Sequence, residues 1–225
     1  MLMKKGREKG SVYYDQVFKE RKMFNVSYRD SPYWVHWTQV IQMLGPNKAV
    51  KILDVGCGPG QLAQYLFDDG FISYAGFDFS SEAIDKAKKL STTFNFFVGN
   101  AFDKSSYNGD YDVDLCLEVF EHLEEDKQVI NNILEGKRVI FSVPNFWDPS
   151  HVRRFISFRQ IKNRYYKILD IKRIVRVGNI YICDAVRSDF RPNVFQKFFK
   201  TREEVRFSSF ERRIKSYISL LRDSL

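Results

Sequence analysis

The chain has 225 residues, 44% of them hydrophobic and 28% charged, a length and balance that suit one globular domain with additions and a real buried core. No stretch approaches the roughly 20 uninterrupted apolar residues of a spanning helix, and the opening MLMKKGREKG lacks the apolar segment of a secretory signal, so a cytoplasmic protein without a membrane span is expected. Three scattered cysteines, Cys57, Cys116 and Cys183, exclude a disulfide framework and a zinc knuckle, and the net charge of +8 is uneven: residues 31–150 carry 9 Lys/Arg against 17 Asp/Glu, residues 151–225 carry 19 against 7.

Residues 1–10 are charged and read as a loose start. From Val12 to Phe24 apolar residues fall at helical intervals. A second helix is expected over Pro32 to Leu44, with Ser31 as N-cap, until Gly45-Pro46-Asn47 stops it. Val50 to Val55 is a short apolar run bounded by turn residues, the pattern of a buried parallel strand, and Gln61 to Phe67 follows at helical spacing. The alternation continues with a strand over Ile72–Phe77, a helix over Ser81–Leu90, and strands over Phe94–Val98 and Val113–Leu117. A helix over Glu124–Leu134 and a strand over Arg138–Val143 complete it. Such alternation implies a doubly wound α/β sheet, mostly parallel.

Beyond Pro144 the pattern changes. A helix is expected at Ser157–Tyr166, then two strand-like runs, Ile168–Val177 and Ile180–Arg187, joined by Gly178-Asn179 as an antiparallel C-terminal hairpin. From Pro192 the chain reads as basic amphipathic helices. Phe195, Phe198, Phe199, Ile214, Tyr217, Ile218 and Leu221 recur at helical spacing, which suits docking on the sheet domain or on a second subunit as a homodimer.

The segment Ile52-Leu53-Asp54-Val55-Gly56-Cys57-Gly58-Pro59-Gly60 runs from a buried strand through a glycine loop into a helix. Glycines let the backbone approach a ligand, and the helix presents its positive N-terminus. The spacing is Gly-x-Gly-x-Gly, not the Gly-x-Gly-x-x-Gly that seats a pyrophosphate, which disfavours a nicotinamide dinucleotide. Asp78 follows at the tip of the next strand, placed to accept hydrogen bonds from both ribose hydroxyls of an adenosine; capping the next helix is its plainer role.

On these residues the chain resembles the class I S-adenosylmethionine-dependent methyltransferases. ILDVGCGPG resembles their first motif, YAGFDFS their second, FFVGNAFD their third and YDVDLCLEVFEHL their fourth. The resemblance implies a seven-stranded sheet in the order 3-2-1-4-5-7-6, with S-adenosylmethionine as cofactor. It also implies that Gly56, Gly58 and Gly60 pass the methionine part, that Asp78 holds the ribose, and that Asn100, Ala101 and Phe102 border the adenine. Asp54, Cys57, Phe79, Glu118 and Val119 complete the expected cofactor contacts. Many members have Asp where this chain has Asn100, whose amide carbonyl still accepts a hydrogen bond from the adenine amino group.

His122 follows the fourth strand at the carboxyl edge of the sheet, where ligands of open α/β folds bind. With His151 it is the candidate for removing a proton from the acceptor; capping a helix or holding a loop is the alternative for each. Glu118, Glu121, His122 and His151 are also residue types that hold divalent ions. Small-RNA 3′-terminal 2′-O-methyltransferases resemble this, with a Glu-x-x-Glu-His after the fourth strand and a further His later, but Glu-Val-x-Glu-His segments are widespread among small-molecule members that use no metal, including quinone-biosynthesis enzymes, and no metal is expected. The substrate-binding candidates are Tyr14, Trp34 and Trp37 from the N-terminal helices, Asn145 after the fifth strand, and Arg153.

Three units are thus expected: a helical lid over 1–49, a cofactor-binding methyltransferase core over 50–191, and a basic helical extension over 192–225. The expected reaction is methyl transfer to an oxygen or nitrogen of a small molecule. No Asn/Asp-Pro-Pro-Tyr/Phe follows the fourth strand and Cys116 follows no proline, so base methylation is disfavoured. The rivals are an RNA-directed 2′-O-methyltransferase, favoured only by the basic C-terminal third, and a non-catalytic adenosine-binding domain of the same fold.

Overall fold

The computed structural model describes residues 5–188. Two helices precede the sheet, α1 (Ser11–Glu20) and α2 (Trp34–Leu44), followed by β1 (Ile52–Val55), α3 (Gln61–Asp68), β2 (Tyr74–Asp78), α4 (Ser81–Leu90) and β3 (Asn95–Val98). Then come β4 (Val113–Cys116), α5 (Asp126–Asn132), β5 (Arg138–Pro144), α6 (Phe158–Tyr165), β6 (Leu169–Val177) and β7 (Ile180–Arg187). One seven-stranded sheet runs β3-β2-β1-β4-β5-β7-β6, the order the resemblance implies. The first five strands are parallel; β7 lies antiparallel between β5 and β6.

Alternate residues of one strand divide between two cores, because successive side chains point to opposite faces. Leu53 and Val55 of β1 join Val129 and Ile130 of α5 and Ile161 and Tyr165 of α6 on one face. On the other, Ile52 joins Val40 of α2, Leu62 and Leu66 of α3, and Ile84 of α4. The sheet is therefore buried on both faces, which is why its parallel strands read as unbroken apolar runs. All three cysteines are free and buried.

Two expectations shift. Ser31 does not cap α2: a single turn at Tyr28–Asp30 precedes it, the Ser31 N–H donates to the Tyr28 carbonyl, and the Ser31 hydroxyl accepts from Tyr33 N–H, so the helix begins at Trp34. The first helix stops at Glu20 because Arg21 is extended, and Lys22–Phe24 forms a separate turn. The expected helices beyond Pro192 lie outside the described residues. Among those described, no helix is long and apolar enough to cross a membrane.

Candidate functional site

The loop after β1 is built by backbone conformations that side chains disfavour. Gly56, Gly58 and Gly60 have φ of 74°, 55° and 82°. The N–H groups of Gly56 and Cys57 donate to the Phe77 carbonyl at 2.8 and 3.0 Å, tying the loop to the end of β2. Gly60 serves packing: a Cβ there would stand 3.0 Å from Ala87 of α4, whereas a Cβ on Gly56 would strike Val119 at 2.7 Å.

Asp78 locks this loop to the neighbouring helix. Its carboxylate accepts from Gly58 N–H at 3.0 Å and from Ser80 N–H at 2.9 Å. Burial pushes its carboxyl up to about 6, against the pull of those two N–H groups. Burial likewise raises the Asp54 carboxyl to about 7, although Tyr74 donates to it at 2.7 Å. Ser80 caps α4 by accepting from Ala83 N–H, and its hydroxyl donates to Asp15 of α1 at 2.6 Å.

Across the sheet edge, the chain leaving β4 turns sharply at Glu118, whose φ of 56° makes it the one described non-glycine residue in the left-handed region. Such a conformation costs about 1–3 kcal/mol and persists only where its surroundings hold it. Ser142 of β5 does so twice: its hydroxyl accepts from Glu118 N–H at 2.8 Å and donates to the Glu118 carboxylate at 2.6 Å. One turn on, the His122 and His151 rings meet edge to face, 4.8 Å apart. Burial, reinforced by His151, lowers His122 to about 4, and burial also lowers His151; both are neutral at pH 7.

α1 roofs the space between these walls. Tyr14, Val17, Phe18 and Arg21 recur at helical spacing and line a cavity of about 190 Å³ whose floor is Asp54, Gly56, Cys57 and Gly58. Glu118, His122 and His151 close its far end, with Tyr33 and Trp37 beside them. The Tyr14 ring stands edge-on to His122 at 5.7 Å and 5.3 Å from Phe79.

The structure thus brings together Tyr14, Trp37, Asp54, Gly56, Cys57, Gly58, Glu118, His122 and His151 as cavity lining, with Gly60, Asp78, Phe79 and Val119 adjoining it. Asn100, Ala101 and Phe102 stand past the tip of β2, where Gly99 N–H donates to the Asp78 carbonyl; Asn100 is exposed and its side chain accepts from Phe102 N–H. Trp34, 37% exposed, and Asn145 do not line the cavity. Nor does Arg153, whose guanidinium turns inward to the carbonyls of Phe120, Leu123 and Glu124 and pairs with buried Asp126 at 3.3 Å.

Sequence reasoning missed Phe18 and Arg21 as lining residues, and it missed Asp15 as the anchor of α1. The helical spacing of 14, 17, 18 and 21 carries the signal for the first two. Asp15 and Ser80 are far apart in sequence, and nothing local joins them.

Residues 52–136 match the family of methyltransferase domains. Over 136 residues the chain is 27% identical to the ubiquinone biosynthesis O-methyltransferase of Vibrio parahaemolyticus, covering 56% of this chain and 52% of that protein. Over 118 residues it is 30% identical to the small RNA 2′-O-methyltransferase of Arabidopsis thaliana, covering 44% of this chain and 12% of that one. The chain spans about half the length of the ubiquinone-type relatives it matches first. Among solved structures, the magnesium protoporphyrin IX methyltransferase of Synechocystis PCC 6803 with bound SAH has a TM-score of 0.59 at 19% identity, over 79% of this chain and 98% of that one. At that identity the likeness speaks for the fold.

Proposed function

We propose that this chain, which belongs to the class I S-adenosylmethionine-dependent methyltransferases, transfers the cofactor's methyl group to an oxygen or nitrogen of a small-molecule acceptor held beneath α1. The observation that carries the reading is the roofed cavity itself, with the glycine loop as its floor and a pair of neutral imidazoles at its far end. A concave cleft with a few convergent polar groups is the usual seat of a small acceptor.

The residues present fit the cofactor. A carboxylate offers about four lone-pair positions, and Asp78 spends two on Gly58 and Ser80, leaving two for ribose hydroxyls. Gly56 and Gly58 bring bare backbone to the methionine end, Asp54, Cys57, Glu118 and Val119 flank it, Phe79 adjoins the ribose, and Asn100, Ala101 and Phe102 border the adenine. Bound S-adenosylmethionine supplies a methyl group already activated on a sulfonium. What the chain adds is alignment of the acceptor for in-line attack, exclusion of water by α1, and a proton acceptor at His122 or His151. Tyr14 and Trp37 wall the acceptor side. Three unpaired cysteines suit a reducing compartment, and we place the protein in the cytoplasm.

A second reading, transfer to a 2′-oxygen of RNA, has in its favour the Arabidopsis relative and the basic residues 151–225. Calorimetric titration with S-adenosylmethionine, then a turnover assay for S-adenosylhomocysteine against phenols, carboxylic acids, amines and short RNAs, tests both. One-to-one binding with product from a small acceptor is expected. Product from RNA alone would transfer the assignment to the second reading, and absence of binding would end both.

A further inference from the structure

α1 has a thin apolar hold on the molecule: Phe18 is its one buried residue, and Val12 stands 81% exposed. Its position therefore depends on polar ties, and these run to both walls of the cavity. On the cofactor side, one carboxylate oxygen of Asp15 accepts from the Ser80 hydroxyl at 2.6 Å and from Glu82 N–H at 3.2 Å. Ser80 is also the residue whose N–H donates to the Asp78 carboxylate at 2.9 Å, and whose hydroxyl oxygen accepts from Ala83 N–H to cap α4. Asp78, Ser80 and Asp15 thus form one hydrogen-bonded chain from the proposed ribose position to the roof. Lys86 of α4 adds a second tie, donating to the Phe18 carbonyl at 2.7 Å.

On the acceptor side, the residues before α1, which composition marks as a loose start, lie hydrogen-bonded along the loop that carries His151. Gly6 N–H donates to the His151 carbonyl at 2.8 Å, and Arg7 N–H to the Pro149 carbonyl at 3.3 Å. The Glu8 carboxylate accepts from Glu124 N–H at 2.6 Å. The approach is so close that a Cβ on Gly6 would stand 2.3 Å from the Pro149 oxygen. Residues 6–20 are therefore a crossbar between the two walls. A roof with so few buried contacts opens readily, which lets ligands in.

We infer that Asp15 is a positioning residue that couples the two halves of the site: cofactor bound at Asp78 stiffens the Ser80 turn, Asp15 carries that order into α1, and residues 6–8 pass it to the loop bearing His151. This rests on the proposed contact of Asp78 with the ribose. Coupling of this kind is reciprocal, so an acceptor seated against that loop tightens the cofactor in return. Burial first, and then the Asp15 charge, push the Asp78 carboxyl up. As a charge, Asp15 works against ribose binding; its contribution lies in the bonds to α4.

The test is hydrogen–deuterium exchange on the full chain, with and without saturating S-adenosylhomocysteine, read on peptides covering residues 56–60, 11–20 and 148–152. In the wild type the ligand should slow exchange in all three, by at least about fivefold over α1 and the 148–152 loop, the low end of ordinary coupling between sites. Asp15→Ala should keep the slowing at 56–60 and lose it at α1 and the loop. Asp15→Asn, whose amide oxygen still accepts from Ser80 and Glu82, should restore it. A bond that merely steadied α1 would loosen it equally with and without ligand, leaving the ligand-induced difference as in the wild type. Gly6→Val, whose side chain meets the Pro149 oxygen, serves should Asp15→Ala fail to fold: α1 should still respond and the loop should not. A wild-type response in folded Asp15→Ala, or slowing confined to 56–60 in the wild type, would overturn the inference while the cofactor site stands. No slowing at 56–60 would end the cofactor placement and the coupling with it.

Discussion

Asp78→Ala is the substitution that weighs most on the proposed cofactor site. The carboxylate is 5% exposed and already holds two backbone N–H groups, at 3.0 and 2.9 Å. Its two remaining lone-pair positions are the ones assigned to ribose hydroxyls. A charge-assisted hydrogen bond contributes about 1.5–3 kcal/mol, and two would sum to more. Part of that gain is offset, because burial pushes the free carboxyl up to about 6 and ionising it in place costs free energy. We therefore expect Asp78→Ala to weaken S-adenosylmethionine binding by about 1.5–3 kcal/mol, or roughly 10- to 150-fold. Asp78→Asn should do no better, since its amide sets a donor against the N–H of Gly58 or Ser80. The assay is calorimetry on each variant, with a melting curve to confirm the fold. An affinity within twofold of wild type in a folded Asp78→Ala protein would refute the ribose role.

Ribose bonding needs ionised Asp78, whose free carboxyl sits at about 6, so affinity should rise from about pH 5 to 7, approaching tenfold per unit at the acid end, and Asp78→Asn should flatten it; a flat wild-type profile would contradict this. Gly60→Ala combines a φ of 82° with a Cβ 3.0 Å from Ala87, and should lower unfolding free energy by about 1–3 kcal/mol in a urea titration. Asp126 is fully buried between Arg164 at 2.6 Å, Tyr165 at 2.7 Å and Arg153 at 3.3 Å; Asp126→Ala, which strands those cations, should cost about 3–5 kcal/mol and lower the melting temperature by roughly 6–20 °C. Finally, fluorescence anisotropy across a salt series, on the full chain and on one ending at Arg191, should find RNA binding no tighter than about 10⁻⁴–10⁻⁶ M at physiological salt; sub-micromolar, sequence-dependent binding lost on truncation would favour the RNA reading.

The parts of the fold legible in the sequence are those with local causes. α4 was readable to the residue because Ser80 caps it and an apolar stripe follows, and β7 because a Gly-Asn turn precedes it. The start of α2 was not, because Ser31 and Pro32 look like a helix opening although Ser31 closes the preceding turn. The glycine loop and Asp78 were visible as a strand-end pattern. Arg153 looked like a free cation because its partners, Asp126 and the carbonyls after β4, lie some thirty residues away.

The place of β7 also bears on how such a chain is made. It is the last described strand, yet it sits inside the sheet, paired on one side with β5 and on the other with β6, and α2 packs against it. During synthesis β5, buried along Val139–Pro144 in the finished protein, emerges from the ribosome well before its outer neighbour exists. Until the hairpin folds back, that nascent edge offers an open ladder of N–H and C=O groups to any passing strand. A premature stop before Ile180 would therefore leave the middle of the sheet unsealed, and the product would aggregate where a chain cut after β7 would not. The sheet behaves as an arch whose keystone is set last.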